Sequence, residues 1–312
     1  MEFPANNHQS FFANPLRRAA LNGIIYQQQI ILAFQKLREN RIEPILIKGF
    51  STERFYPASQ KRKTADIDLC VPPEDYKKSQ IIINELGFPP EMIDLHKSLR
   101  HLDKLPWDDL LKNSQLTLLH NVQIRVLRPE DGLRVTCIHW LNDGGADKEK
   151  LWDIYYLVAN RPPDFDWKRC LNSNGRKRRQ WILCAIAAAH HYLNLSVDET
   201  PFADEIETVL PDWFIPSLEK EWADQVKLIR LENFFQSRDW KSLRSQLKKR
   251  FSPNPIAASI ATEAAFDNSS RLPFQIADFI LRFIVHFGRN TSAVLKSIRT
   301  KPQNSQHSLF LF

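Results

Sequence analysis

The sequence predicts an α/β (α+β) domain with a small mixed sheet, followed by an all-α domain. Three observations predict it. Up to residue 128, short apolar runs bounded by Gly or Pro alternate with segments of helical period. From Pro129 onward strand signals almost vanish and helical segments follow one another. Within the first half, "ADIDLCV" places two carboxylates inside an apolar run, where an unassisted charge would be costly. The boundary is drawn at 128/129, giving domains 1–128 and 129–312.

The elements follow in order. Residues 15–40 carry apolar positions at helical spacing, with Pro15 suited to a first turn. "IEPILIKGF" gives a strand over Ile45 to Ile47 that ends at Gly49. A helix over 50–56 stops before Pro57. "ADIDLCV" is the next strand, ended by Pro72-Pro73, and "EDYKKSQIIINELGF" is a helix stopped by Gly87. "EMIDLHKSL" and "VQIRVL" supply two further strands. The second half predicts helices over 130–142, 147–159, 166–173, 177–195, 202–210, 216–235, 237–250 and 273–297. Clusters such as "NDGGAD", "NRPPDF" and "FSPNP" punctuate them. No fixed-period repeat is present.

Composition bounds the function classes. An apolar fraction of 43% with 25% charged residues is that of a folded globular chain. Apolar runs such as "FILRFIVHF" stop short of the roughly 18 residues that span a bilayer, and no secretion signal opens the chain. Four cysteines without C-x-x-C spacing argue against zinc or disulfides and predict a reducing cytoplasm. The net charge of +7 suits an anionic ligand. The basic runs at 176–179 and 244–251 read as solvated helix surface.

The chemistry concentrates on few residues. On a strand, residues i and i+2 share a face, so Asp66 and Asp68 are expected to point together, away from Ile67, Leu69 and Val71. A divalent, oxygen-seeking cation resolves their repulsion, and Mg²⁺ bound by carboxylates plus substrate phosphates is the natural choice. Asp94, alone in its apolar strand, can complete a three-carboxylate site after a helical crossover. Lys48, Gly49 and Ser51 lie at a strand-to-helix turn where phosphate oxygens can approach backbone N–H groups. His96 shares the face of Asp94 and can bind phosphate, orient an acceptor or simply be a satisfied polar neighbour. His139 and Asp153, on successive helices, can meet across a hairpin, either bracing it or binding an acceptor. His190 and His191 point about 100° apart and read as packing residues.

These motifs resemble the polymerase-beta-type nucleotidyltransferase superfamily, and within it the bacterial group of uncharacterised nucleotidyltransferases. The resemblance is carried by Lys48-Gly49, Tyr56-Pro57, Arg62, Asp66-Ile67-Asp68-Leu69, Leu86-Gly87-Phe88 and Asp94-Leu95-His96. It extends through "RPEDGL", His139, Trp152, Asp153 and Trp167, covers about residues 16–195, and fades after 200. Phe50 stands where the wider superfamily has Ser or Gly, and Lys97 where the group has an aromatic residue. The resemblance implies transfer of a nucleoside monophosphate from an NTP, with ATP favoured, to a hydroxyl or similar group, with pyrophosphate leaving. Asp66, Asp68 and Asp94 would then hold two Mg²⁺ ions, while Lys48, Gly49, Ser51 and Arg62 would bind the nucleotide. His96, His139 and Asp153 are left as acceptor-side candidates. A small molecule, peptide or protein acceptor is ranked ahead of the alternative, a toxin-type enzyme acting on a tRNA end. The basic balance would favour the tRNA, but no single basic-aromatic stripe marks an RNA surface. A non-catalytic nucleotide binder is the third class, and retention of all three carboxylates counts against it.

Overall fold

The computed structural model describes residues 15–60, 62, 66–89, 92–97, 99, 105–172, 175–224 and 253–284. The first long element is helix α1, Pro15–Glu39. Its buried stripe of Tyr26, Ile30, Phe34 and Leu37 recurs at helical spacing and lies against the sheet. Strand β1 (Ile45–Leu46) leads through Gly49 into the single turn α2 (Phe50–Glu53). Strand β2 (Ile67–Val71), helix α3 (Tyr76–Glu85) and strand β3 (Ile93–Lys97) form a parallel crossover. Helix α4 (Trp107–Asn113) precedes a hairpin of β4 (Gln115–Leu119) and β5 (Val122–Val126).

The five strands lie in the order β3-β2-β1-β5-β4. β1 runs antiparallel to β2 and parallel to β5, so the sheet is mixed. Alternation along β2 divides the core in two. Ile67, Leu69 and Val71 pack with α1 and α3, while Cys70 on the opposite face packs with Ile45, Ile47, Leu110 and Val135. Asp68 belongs by period to the face of Cys70.

The remaining described chain holds helices and turns. Helix α5 (Pro129–Asn142) opens with Pro129 and two acids, and twelve of its 14 residues are buried. Val135 reaches the sheet cluster, whereas Leu133, Cys137, Ile138 and Leu141 join a second core. α5 is therefore common to both halves. That second core is filled by α6 (Leu151–Ala159), α7 (Trp167–Asn172), α8 (Gly175–Leu193), α9 (Phe214–Ala223) and α10 (Pro255–Ala261). Residues 272–284 are helical.

Several expectations change. The helix expected over 202–210 is a 3₁₀ turn, Ala203–Glu205, followed by turns. Phe202 and Ile206 are still buried, so helical spacing found the packing face and not the backbone form. The helix expected from 216 begins at Phe214. Helix α4, strand β4 and helix α10 were not anticipated. The 237–250 helix, the ends of the 216–235 and 273–297 helices, and the basic run at 244–251 lie outside the described residues. None of the helices among the described residues is long and apolar enough to cross a membrane. All four cysteines are buried with free thiols.

Candidate active site

The site grows from the register of β2 and β3. The two strands are parallel with Asp68 directly opposite Asp94, so their carboxylates rise side by side from one face. His96, two residues beyond Asp94, shares that face. Its Nε2 lies 3.0 Å from Asp68 Oδ1 and 3.4 Å from Asp94 Oδ2. One ligand atom from each of Asp68, Asp94 and His96 falls within 4.8 Å of the others. Asp68 is buried, Asp94 exposed and His96 intermediate, so the group is open on one side.

Asp68 is the electrostatic centre. Lys48 Nζ sits 2.7 Å from the same Oδ1 that meets His96. Burial alone would raise the Asp68 carboxyl, but the hydrogen bond from His96 and the ammonium of Lys48 overcome it and hold the group below its ordinary value. Asp68 is therefore an ionised carboxylate in a largely dry position. A donor set of two carboxylates and an imidazole fits a divalent cation.

Asp66 is placed differently from expectation. It lies one residue before β2, is exposed, and is not part of the three-residue group. The pleat rule holds only inside a strand, and this strand starts at Ile67. Asp66 instead lines a cavity of about 240 Å³ with Lys48, Gly49, Thr52, Arg62 and Asp68, closed from the helical side by Thr136, His139, Trp140, Lys150 and Asp153.

Gly49 forms one wall of that cavity and has φ 65°, ψ −120°. A Cβ there would collide with the Tyr26 hydroxyl, so both conformation and space require glycine. Ser51 is buried, and its N–H donates to Lys48 O at 3.3 Å. The N–H groups of Thr52 and Glu53 donate to Gly49 O, so the turn after Gly49 uses these donors internally.

Arg62 and Asp153 meet across 91 positions of sequence. Nε donates to Oδ1 at 2.7 Å and Nη2 to Oδ2 at 2.9 Å, a two-pronged pair. The Tyr56 hydroxyl also donates to Oδ1 at 2.7 Å. Burial alone would lower Arg62, but the hydrogen bonds and charge of Asp153 raise it. Burial first, then the Asp153 charge, push the Tyr56 phenol up. Asp153 therefore grips the Tyr56-Pro57 segment and Arg62 together; sequence reasoning gave it no such partner. His139 pairs with Asp143, Nδ1 to Oδ2 3.4 Å, rather than with Asp153. Burial and then the nearby Lys48 charge hold His139 below its ordinary value, against the pull of Asp143.

A larger cavity, about 520 Å³, opens beside Arg54, Phe55, Gln115 and Asn160. Its lining carries one carboxylate, Asp164, and none of the group Asp68, Asp94 and His96.

No curated protein and no solved structure matches the chain. A family model does, and its matched stretch stops just before Asp94 and His96, which the sheet itself brings to Asp68. Residues 2–91, which carry Lys48, Gly49, Arg62, Asp66 and Asp68, match the family described as "Uncharacterised nucleotidyltransferase", the group their motifs resemble.

Proposed function

We propose that the protein is a divalent-cation-dependent nucleotidyltransferase that moves a nucleoside monophosphate from an NTP to a hydroxyl or similar group on a small molecule, peptide or protein. One observation carries this reading: a buried, ionised Asp68 stands opposite an exposed Asp94 on adjacent parallel strands, beside a cavity lined by Lys48, Arg62 and Lys150. Mg²⁺, which binds through one or two carboxylates plus substrate phosphates, is the cation the resemblance implies. The cation would neutralise charge on the transferring phosphoryl group and lower the pKa of the attacking hydroxyl. A second ion, which the resemblance implies, would be held by Asp66 with Asp68.

The remaining roles belong to the chain. Lys48 and Lys150 supply positive charge to the triphosphate from opposite walls of the cavity. Arg62, fixed by Asp153 and carried beside Tyr56, adds a third cation that needs little reorganisation. Asp94, on the open side, receives the acceptor proton. His139, its imidazole held below its ordinary value by burial and then by Lys48, offers a hydrogen bond to the acceptor. Residues 1–128 would form the transferase unit and 129–312 the acceptor-binding unit, with ATP as the favoured donor.

The test uses the full chain with Mg²⁺ and each α-labelled NTP, offered separately to total tRNA and to a cell extract free of nucleic acid. Label is expected in the second pool, and Asp68→Asn is expected to abolish it. Label in tRNA would overturn the choice of acceptor. Transfer that survives Asp68→Asn would overturn the mechanism.

A further inference from the structure

We infer that His96 is a direct ligand of the catalytic cation, and that its nitrogen makes the centre favour Mn²⁺ over Mg²⁺. The inference rests on the metal-dependent reading above and replaces an all-carboxylate centre with a mixed one.

Three observations support it. First, the spacing suits a shared ligand sphere as well as the hydrogen bond that joins His96 to Asp68. Neighbouring donors around an octahedral ion with bonds of about 2.1 Å stand about 3 Å apart. His96 Nε2 lies 3.0 Å from Asp68 Oδ1 and 3.4 Å from Asp94 Oδ2, so the imidazole stands between the two carboxylates at such edges. Second, the backbone imposes the arrangement. Asp94 and His96 are two apart on β3, and the parallel register fixes Asp68 opposite Asp94 and Cys70 opposite His96. The imidazole therefore reaches diagonally to Asp68 from the face that both carboxylates share. Third, Lys48 stands 2.7 Å from the same oxygen, so Asp68 keeps a counter-charge when the imidazole faces a cation instead. Asp66, the carboxylate expected to fill the place, is not in the group.

The chemical consequence is a change of preference. Mg²⁺ seeks oxygen and parts reluctantly with its water, so an imidazole is a poor ligand for it. First-row transition cations accept imidazole nitrogen together with carboxylate oxygen. Mn²⁺ keeps the octahedral, carboxylate-binding habit of Mg²⁺ and tolerates the nitrogen. To hold a cation with Asp68 and Asp94, Nε2 would have to be the unprotonated nitrogen, with the imidazole proton on Nδ1.

The test is made on the full chain, freed of metal and titrated with Mn²⁺ alone, without nucleotide. Pulsed electron paramagnetic resonance reads nitrogen bound directly to Mn²⁺. The expected result is a ¹⁴N coupling that changes to the ¹⁵N pattern when histidine is supplied as ¹⁵N-histidine. Mn²⁺ should bind at least about tenfold more tightly than Mg²⁺ in competition, and His96→Gln should weaken Mn²⁺ binding by about tenfold or more. Mn²⁺ bound through Asp68 but showing no nitrogen coupling would overturn the role of His96 and leave the metal-dependent reading standing. No Mn²⁺ binding at all, with Asp68→Asn indistinguishable from the wild type, would overturn both. The isotope experiment needs no substitution, but it labels all nine histidines. When the His96→Gln chain fails to fold, His139→Gln replaces it: the coupling should persist, and its loss would assign the nitrogen to His139 and overturn the inference.

Discussion

Gly49 shows how much one position can constrain. Its φ of 65° with ψ −120° belongs to a region that side chains avoid, and the Tyr26 hydroxyl occupies the space of a Cβ. Gly49→Ala is expected to cost on the order of 2 kcal/mol or more in urea unfolding, from backbone strain and contact together. Tyr26→Phe removes the oxygen that such a Cβ would strike but leaves the ring carbon at 3.3 Å. In the Gly49→Ala background it should therefore recover part of the loss; no recovery would mean the hydroxyl contact is not the cause. Glu43 offers a pH prediction. Burial would raise its carboxyl, but Arg38, with two contacts of 2.7 Å, and then Arg125 at 3.1 Å hold it below its ordinary value. A carboxyl depressed in the folded state adds stability above its unfolded pKa, lost as pH falls through the folded one. Glu43→Gln should flatten that acid limb by on the order of 1 kcal/mol while leaving ion pairs elsewhere untouched. At this scale the sequence was informative where period alone decides. Asp68, Asp94 and His96 could be given a common face because each lies within a strand. Asp66 was expected on the face of Asp68 but lies outside the strand, which begins at Ile67. Alternation is silent about where a strand begins. The grip of Asp153 on Arg62 spans 91 positions, and no local pattern carries such a pair.

At the level of elements, α5 is where local signals and tertiary demand agree most closely. Pro129, Glu130 and Asp131 announce a helix start in the sequence, yet two of those acids do more than complement the helix dipole. Asp131, fully buried, meets Arg134 at 2.9 Å on its own helix and Arg169 on α7 at 2.8 Å. Arg169 continues to Asp109 on α4 at 2.9 Å. Glu130 receives Arg128 and the N–H of Asp166. Asp131 thus links α5 to α7 directly and to α4 through Arg169. Asp131→Ala is expected to destabilise the protein by about 3–5 kcal/mol, since Arg134 and Arg169 lose their buried counter-charge. Converting Asp131 to Leu and Arg134 to Met together should cost less than Asp131→Ala alone, read by chemical denaturation. A double variant worse than the single one would show that the network is needed for more than charge balance. The missed elements have physical reasons. β4 is an edge strand with Leu116 and Leu118 exposed, so no buried face announces it. α10 carries a legible start, Asn254 capping two N–H groups ahead of Pro255, but lies in a stretch read as punctuation. α4 spans only seven residues, and its one fully buried side chain is Leu110.

Across the whole molecule, the cavity at Asp68 exists because two halves meet. The sheet contributes Lys48, Gly49, Asp66 and Asp68, and the helical half contributes Thr136, His139, Trp140, Lys150 and Asp153. A strand-and-helix order was readable from the first half, and a change to helices after Pro129 was plain. What the sequence did not carry is the docking, because α5 serves both cores and pairs such as Tyr56–Asp153 join distant segments. Docking makes a testable distinction between two residues on the helical wall. Lys150 is partly exposed, and its partner Asp143 lies 3.2 Å away at the surface. Replacing it removes a positive charge from the cavity rim but little packing. Lys150→Ala should leave thermal stability within about 0.5 kcal/mol of the wild type and raise KM for the NTP by up to about tenfold. Asp153 is the opposite case: buried, two-pronged to Arg62 and bonded to Tyr56. Asp153→Asn should cost about 3 kcal/mol and, with Arg62 in the role proposed for it, lower kcat more than it raises KM, because Arg62 would lose its fixed position. Unfolding curves with steady-state kinetics on both variants separate the roles. If Lys150→Ala lost stability as Asp153→Asn does, the wall would be a structural seam. Equal effects of the two on KM, with kcat unchanged, would mean that Asp153 holds no catalytic cation in place.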